Sequence, residues 1–295
     1  MTTFVDRLNS GPILLADGAM GTMLIQSGLE PGHPPESVTL SNPGALEEVA
    51  RVYLNAGADV IQTNTFGASP ARLSTYGLDD KTEELNEAAV RAVRNVVADR
   101  AYVAGSCGPS GKLLQPYGDV APEQLYEGFR RQTDSLIAAG VDCVFVETMI
   151  DLHEARLAVQ AVKDSSSHTP VVVTMTFDPT PRGFYTIMGV DVETAAVQLA
   201  EAGADGVGSN CGNGIENMVA IARDFKAACD LPLIIQSNAG MPQTVGGEVV
   251  YGETPEFMAE EAKGLVSSGV SVIGGCCGTT PEHIAALRAV VDQAT

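Results

Sequence analysis

The feature that most constrains the fold is a regular alternation of short apolar runs and longer helical patterns along the chain. An amphipathic or alanine-rich helical pattern follows each apolar run. The runs lie at residues 13–17, 60–64, 102–106, 143–147, 171–177, 206–210, 232–238 and 270–275. Near-continuous apolar strands of this length are buried on both faces, which predicts a parallel sheet covered by helices.

A weak internal repeat favours a closed barrel over an open sheet. The segments AGADVI, AGVDCV, AGADGV and SGVSVI place Gly57, Gly140, Gly203 and Gly269 between a helix end and every second strand. Such two-strand units predict an α/β fold of the (βα)8 or TIM-barrel type. A doubly wound sheet is the alternative, but the chain shows neither a long break in composition nor a glycine-rich phosphate loop. We therefore expect one domain over residues 1–295.

Two stretches come close to nucleotide-binding motifs without matching them. Asn217 stands where a GxGxxG motif beginning at Gly212 would need its third glycine. Residues 105–112 resemble a phosphate loop, but the spacing is off by one and Leu113 replaces the Ser or Thr. Nucleotide binding is discounted on both counts.

Charge and run length exclude several classes of partner. The chain has 37 Asp and Glu against 17 Lys and Arg, a net charge of -20, which repels nucleic-acid phosphates and anionic lipid. Its first residues contain no apolar run of signal-peptide length, and no stretch approaches the roughly 20 residues of a membrane helix. We therefore expect a cytoplasmic protein with neither nucleic-acid nor membrane partners, whose six cysteines form no disulfides.

Polar and sulfur-bearing residues stand at the ends of the predicted strands, where a (βα)8 barrel gathers its reactive groups. These ends carry Asp17, Asn64, Cys107, Glu147, Thr148, Asp178, Asn210, Cys211, Asn238, Cys276 and Cys277. Strands 6 and 8 thus bring three cysteines to one rim. Cys143 and Cys229 are interpreted as small hydrophobic residues, and Cys107 as a packing residue in a loop after strand 3.

Cys211, Cys276 and Cys277 form a candidate zinc site. Thiolates suit zinc, and three ligands from two separate strands leave a tetrahedral position open, as in catalytic rather than structural sites. The glycines in residues 274–278 allow two consecutive side chains to face one ion, which a regular strand forbids. The alternative is that the adjacent cysteines are simply small buried residues.

Such a site suits transfer of an alkyl group to sulfur. Zinc keeps a bound thiol deprotonated, and three protein thiolates leave the incoming sulfur electron-rich while weakening the activation of water. Asp17 and Glu147 at the same rim could accept hydrogen bonds from a substrate ammonium group. Asn64, at the end of strand 2, is a further candidate substrate contact. Otherwise Asp17 would be a turn residue and Glu147 a helix-capping residue.

With these residues in place, the chain resembles the homocysteine S-methyltransferase family from about Gly11 to Val291. The resemblance rests on ADGAMGT (16–22), QTNTFGAS (62–69), FVETMIDLHEA (145–155), SNCGNG (209–214), SNAG (237–240) and GGCCGTTPEHI (274–284). It implies that Cys211, Cys276 and Cys277 bind zinc and form the catalytic centre, with the acceptor thiolate as fourth ligand. It also implies that Asp17 and Glu147 contact the amino group of homocysteine, which becomes methionine.

The methyl donor is less constrained. Residues 276–281 look most like the homocysteine domain of cobalamin-dependent methionine synthase, whereas relatives that use S-methylmethionine often carry Arg where this chain has Gly278. The chain ends one helix after strand 8, and Arg156 interrupts a cobalamin-type DxHxxG pattern. We therefore expect the methyl group to come from a separate methyl-corrinoid protein or a small donor such as betaine. Alternatives are an S-methylmethionine-using enzyme, a non-catalytic barrel that binds a corrinoid protein or a thiol, and a pterin-binding barrel.

Overall fold

An eight-stranded parallel barrel forms the centre of the computed structural model, which describes residues 2–29 and 32–294. The strands are β1 (Leu14–Leu15), β2 (Val60–Gln62), β3 (Tyr102–Cys107), β4 (Cys143–Met149), β5 (Val171–Met175), β6 (Asp178–Thr180), β7 (Gly183–Tyr185), β8 (Gly206–Asn210), β9 (Leu233–Ser237), β10 (Gln243–Val245), β11 (Glu248–Val250) and β12 (Val272–Gly275). The barrel order is β1-β12-β9-β8-β5-β4-β3-β2, and a parallel bridge between Ala16 and Val60 joins its two edges. The predicted (βα)8 fold is therefore confirmed.

Helices surround this barrel, and at least one follows each barrel strand. They are α1 (Phe4–Ser10), α2 (Met20–Gln26), α3 (Val38–Ser41), α4 (Pro43–Asn55), α5 (Pro70–Leu73), α6 (Thr82–Val97), α7 (Pro122–Ala138), α8 (Leu152–Ser165), α9 (Val192–Glu201), α10 (Ile215–Ala228), α11 (Pro255–Ser267) and α12 (Pro281–Gln293). Short 3-10 helices cover Pro35–Ser37, Ser74–Tyr76 and Asp79–Lys81. Among the described residues, no helix combines the length and apolar character needed to cross a membrane.

The repeated glycines end four of these helices, as the sequence predicts. Gly57, Gly140, Gly203 and Gly269 have φ values of 98°, 91°, 95° and 73°. A residue without a Cβ adopts this left-handed conformation without strain, so the chain can turn sharply from a helix into the next strand.

The lower part of the barrel interior is apolar and is closed by the N-terminal helix α1. Phe4 and Leu8 of α1 pack with inward-facing residues of the strands, among them Tyr102 and Phe145. The Phe4 and Tyr102 rings meet edge to face with 5.5 Å between their centroids. The sequence pattern did not predict this helix, which has only 7 residues.

The upper part of the interior, at the carboxyl ends of the strands, is polar. The Gln62 side chain on β2 hydrogen-bonds to Glu147 on β4 and to Gln236 on β9, strands that are not its neighbours in the sheet. These bonds therefore cross the barrel interior. A polar layer above an apolar one places a hydrogen-bonding floor beneath the rim on which active sites of this fold lie.

Two elements near the rim differ from the sequence-based prediction. Cys107 is the last residue of β3 and is fully buried, rather than lying in a loop after that strand. The hairpins β6–β7 and β10–β11, which follow barrel strands β5 and β9, were not predicted. In both hairpins most side chains are exposed, so no apolar run marks them.

Candidate active site

A cavity of about 370 Å³ opens at the carboxyl end of the barrel. Its wall combines apolar residues from the first βα connection with polar and sulfur-bearing residues from the strand ends. The lining includes Asn64, Glu147, Thr148, Cys211, Cys276 and Cys277. The structure thus brings five of the six predicted site residues to one cavity wall, while Asp17 lies outside this lining.

The three rim cysteines converge as the strand order predicts. Their Sγ atoms all lie within 4.8 Å of one another, and those of Cys211 and Cys277 are 3.7 Å apart. This separation is far longer than the roughly 2 Å of a disulfide bond, and all three thiols are free. The cluster could therefore hold a metal ion.

The local backbone explains how consecutive cysteines face the same point. Cys276 donates its backbone N–H to the Ser237 carbonyl (2.7 Å), and the Cys277 carbonyl accepts from Ala239 (3.0 Å). Gly278 then turns the chain with φ 79°. A Cβ at this position would lie 2.2 Å from the Tyr251 ring, so glycine is required by both backbone and packing. The expected role of the flanking glycine is borne out at this position.

The sulfur cluster shares its protons unequally. Hydrogen bonds from Cys211 and Cys276 lower the pKa of Cys277 to about 3. Hydrogen bonds with Cys211 and Cys277, together with burial, raise the pKa of Cys276 well above its usual value. One thiolate is thus stabilised by its neighbours, and a cation is the group that would stabilise all three as thiolates.

Two carboxyl groups, those of Glu36 and Glu147, line the cavity, and Glu147 is the one at a strand end near the cysteines. Its Oε1 accepts hydrogen bonds from the Gln62 side chain (2.6 Å) and from the Ser106 hydroxyl. Burial raises the pKa of Glu147 to about 7, although both hydrogen bonds oppose this shift. A carboxyl group that is this costly to ionise gains most from a cationic substrate group.

Asp17 lies deeper and is 1% exposed. Its Oδ2 accepts the Gln62 backbone N–H (2.9 Å), whereas its Oδ1 is buried without a partner among the described residues. Burial, with a smaller contribution from the charge of Glu147, raises the pKa of Asp17 to about 8. An unpartnered buried carboxyl oxygen is costly and is usually explained by a ligand or a water molecule.

Asn64 lines the cavity but also has a structural contact. Its side-chain amide donates hydrogen bonds to the Pro35 carbonyl (2.7 Å) and to the Thr39 hydroxyl (3.3 Å). The buried carboxylate of Glu36 accepts the Gly67 N–H (2.6 Å) and holds the same segment beside the strand-2 loop. Asn64 thus helps to fix residues 35–39 at one side of the cavity.

Sequence reasoning did not single out the polar floor residues Gln62, Ser106 and Gln236, nor Tyr251 beside the cysteine pair. The floor residues carry a visible signal, because each is a polar residue near the carboxyl end of an otherwise apolar strand. Tyr251 follows the exposed β10–β11 hairpin, and its nearness to Gly278 depends on tertiary packing alone.

The fold and the thiol-lined cavity define the class of protein, a (βα)8 barrel with a candidate metal centre at the carboxyl end of the barrel. The family model described as homocysteine S-methyltransferase matches residues 14–291. The chain belongs to the homocysteine S-methyltransferase family.

Curated relatives and solved structures agree with this membership. The chain is 31% identical over 298 residues to methionine synthase of Mycobacterium leprae (strain TN), which covers 95% of this chain and 24% of that protein. It is 30% identical over 309 residues to methionine synthase of Mycobacterium tuberculosis (strain ATCC 25618 / H37Rv), and the match covers 98% of this chain and 25% of that protein. The chain therefore spans about a quarter of the length of these relatives.

Solved structures of the homocysteine methyltransferase MmuM from Escherichia coli superpose on nearly the whole chain. The metallated form has a TM-score of 0.79 and 25% identity and covers 96% of this chain and 97% of its own. The apo form has a TM-score of 0.75 and 25% identity, covering 98% of each chain. The carboxyl transferase domain of Rhizobium etli pyruvate carboxylase, at 13% identity and a TM-score of 0.56, shares the fold alone, covering 98% of this chain and 49% of its own.

Proposed function

We propose that this chain is a zinc-dependent homocysteine S-methyltransferase that forms methionine, with residues 1–295 acting as one homocysteine-binding barrel domain. The observation that carries the proposal is the convergence of Cys211, Cys276 and Cys277 on one wall of a cavity that also contains Glu147. Sulfur ligands and a cation-binding carboxylate match the two ends of an aminothiol such as homocysteine.

The three cysteines are the residues that would hold zinc. Their donor set fits the ion because zinc prefers thiolate ligands, and three of them leave a position for a further ligand. When bound there, zinc supplies the charge that keeps an acceptor thiol deprotonated at neutral pH. The chain itself contributes the rigid placement of the sulfur atoms, through the backbone bonds of the 276–279 turn.

The opposite end of the acceptor would be held by carboxylates. In this proposal Glu147 accepts hydrogen bonds from the ammonium group, and the unpartnered Oδ1 of Asp17 offers a further acceptor in the same region. Asn64 would contribute its amide oxygen, since its N–H groups already bind Pro35 and Thr39. The sulfur then attacks the methyl carbon of the donor, the donor leaves with the bonding electrons, and no protein base is needed once the thiol is ionised.

The rim supports a methyl donor carried on a protein, such as a separate methyl-corrinoid protein. Large apolar side chains are exposed on several of the connections that follow the barrel strands. They include Ile25 (65%), Leu113 (51%), Tyr117 (80%), Ile187 (73%), Met241 (55%) and Val249 (62%). In a (βα)8 barrel these connections lie on the same face as the cavity, and exposed apolar side chains on one face suit an interaction surface. A small donor such as betaine would need the cavity alone and leaves this rim unexplained.

The proposed reaction also implies a reducing compartment, which we take to be the cytoplasm. The three clustered thiols are free and close enough for oxidants to join two of them after a small shift. Such a cluster keeps its ligands only where glutathione and thioredoxin keep thiols reduced.

The test is a donor series with purified, zinc-loaded protein and L-homocysteine. A methylated corrinoid protein, betaine and S-methylmethionine are supplied in turn, and methionine is measured. The proposal expects methionine with at least one donor, fastest with the corrinoid protein. Methionine from none of the three would refute the activity, whereas fastest turnover with betaine or S-methylmethionine would refute only the donor assignment.

A further inference from the structure

Two residues of the site other than glycine adopt the left-handed conformation, and both are linked to Asn210. Thr148 has φ 60° and Cys211 has φ 59°. Cys211 is the next residue in the chain, and Thr148 donates one hydrogen bond to the Asn210 side chain and accepts another from it. Residues with side chains persist in this conformation only where their surroundings enforce it. Asn210 is therefore the group that fixes this part of the rim.

The orientation of the Asn210 amide follows from its partners. Its Oδ1 accepts the Thr148 backbone N–H (2.7 Å) and the Thr174 hydroxyl (2.7 Å). Its Nδ2 must then face the remaining acceptors, and it donates to the Thr148 hydroxyl at 2.8 Å. The side chain is fully buried and bonded at both ends, so it has no freedom to rotate.

The same Nδ2 lies between the two functional ends of the cavity. It is 3.4 Å from Glu147 Oε2 and 3.8 Å from Cys276 Sγ. The carboxylate and the sulfur can therefore be no farther apart than the sum of these two distances. Both contacts are longer than the bonds between Asn210 and Thr148. The Asn210 amide therefore acts as a spacer between Glu147 and Cys276 rather than as a strong hydrogen-bond donor to either.

We propose that Asn210 sets the separation between the ammonium-binding carboxylate and the sulfur cluster, and so makes the site select a thiol of homocysteine length over cysteine. This inference rests on the proposed function, since it takes Glu147 and the cysteines as the two ends of the acceptor site. Homocysteine and cysteine differ by one methylene between the ammonium group and the sulfur. A site with fixed ends discriminates such a difference by about 10- to 200-fold.

The experiment compares equilibrium binding of L-homocysteine and L-cysteine to zinc-loaded protein by calorimetry, without any methyl donor. The native protein is expected to bind homocysteine at least about tenfold more tightly than cysteine. Asn210→Ala removes the spacer, and the ratio is expected to fall to about threefold or less while zinc remains bound. Asn210→Asp, which keeps the acceptor for Thr148 but loses the amide donors, is expected to shift the ratio in the same direction.

Asn86→Ala is the matched control. Asn86 is equally buried, and its amide binds the carbonyls of Ala68 and Thr82, away from the cavity lining. It is expected to lower stability and leave the ratio unchanged. An Asn210 variant that retains zinc and keeps the native ratio of homocysteine to cysteine affinity would overturn the proposal. Loss of zinc from both Asn210 variants would also overturn it, because Asn210 would then support the metal site instead. A native protein that binds neither thiol would instead count against the proposed function.

Discussion

Three sulfur atoms form the proposed metal site. Cys276→Ala and Cys277→Ala are each expected to lose bound zinc and to reduce methionine formation to background, because two thiolates hold zinc weakly and leave the acceptor thiol protonated. Metal content by mass spectrometry and turnover with homocysteine check this. Cys229→Ala, which removes a free thiol that is not part of the cluster, is the control and should retain both. A Cys276 or Cys277 variant with stoichiometric zinc and full turnover would contradict the assignment.

The buried carboxyl groups make a prediction about pH. The pKa of Asp17 is raised to about 8, so the folded protein binds this proton more tightly than the unfolded chain does. Stability that depends on Asp17 is therefore greatest below the unfolded pKa near 4 and falls as pH rises toward 8, by at most about 1.4 kcal/mol per pH unit. Urea unfolding from pH 5.5 to 8 should show the native protein losing stability relative to Asp17→Asn.

An exposed carboxylate supplies the comparison. Asp119 lies in the loop before α7 and is exposed, so Asp119→Asn should follow the native pH dependence throughout. If the stability of the native protein relative to Asp17→Asn stays constant or increases as pH rises, the carboxyl group of Asp17 is not protonated in the fold as described.

For individual residues, the sequence predicts which side chains lie at the rim better than it predicts what each of them contacts. Cys211, Cys276 and Cys277 could be predicted together because strand ends in a (βα)8 barrel meet at one rim. The network of Gln62, Ser106 and Asn210 around Glu147 could not, because it depends on which inward-facing side chains meet across the barrel. The position of Asp17 outside the cavity lining could not be predicted for the same reason.

Among the elements, the turn after β12 is the one most closely fitted to its sequence. Gly278 combines φ 79° with the near contact to Tyr251, whereas Gly140 has φ 91° with open space around its Cβ position. Gly140→Ala should therefore cost only the left-handed strain of about 1–2 kcal/mol. Gly278→Ala should cost clearly more, because the methyl group must also displace the Tyr251 ring.

Unfolding in urea measures both variants under identical conditions. The difference between them isolates the clash with Tyr251 from the backbone strain that they share. Equal losses of unfolding free energy would mean that the Tyr251 ring moves aside freely and does not fix the turn that carries Cys276 and Cys277.

The elements also show why some structure could be predicted and some could not. Apolar strands and amphipathic helices carry strong periodic signals, and the glycines that end helices could be placed to the residue. The hairpins β6–β7 and β10–β11 have mostly exposed side chains and therefore show no apolar run. The Gly246-Gly247 pair between β10 and β11 is nevertheless a turn signal that a closer reading of the sequence could use.

The whole molecule carries a net charge of -20, which opposes the folded state through self-repulsion. Four of the nine ion pairs among the described residues join two exposed side chains and therefore contribute little; in the pair between Lys263 and Glu260, for example, the side chains are 57% and 69% exposed. Sodium chloride should then raise the melting temperature. At 0.15 M salt the Debye screening length falls to about 8 Å, which weakens the repulsion between surface charges. Thermal unfolding between low salt and this concentration checks the sign, and a melting temperature that falls with added salt would show that favourable ion pairs dominate.

In the proposed function, three cysteines from two strands hold zinc and leave a place for the acceptor sulfur. X-ray absorption at the zinc edge of the native protein, before and after adding homocysteine, measures it most directly. We expect one zinc per chain with three sulfur ligands, rising to four with homocysteine. A metal-free native protein, or a sulfur count that homocysteine leaves unchanged, would contradict it.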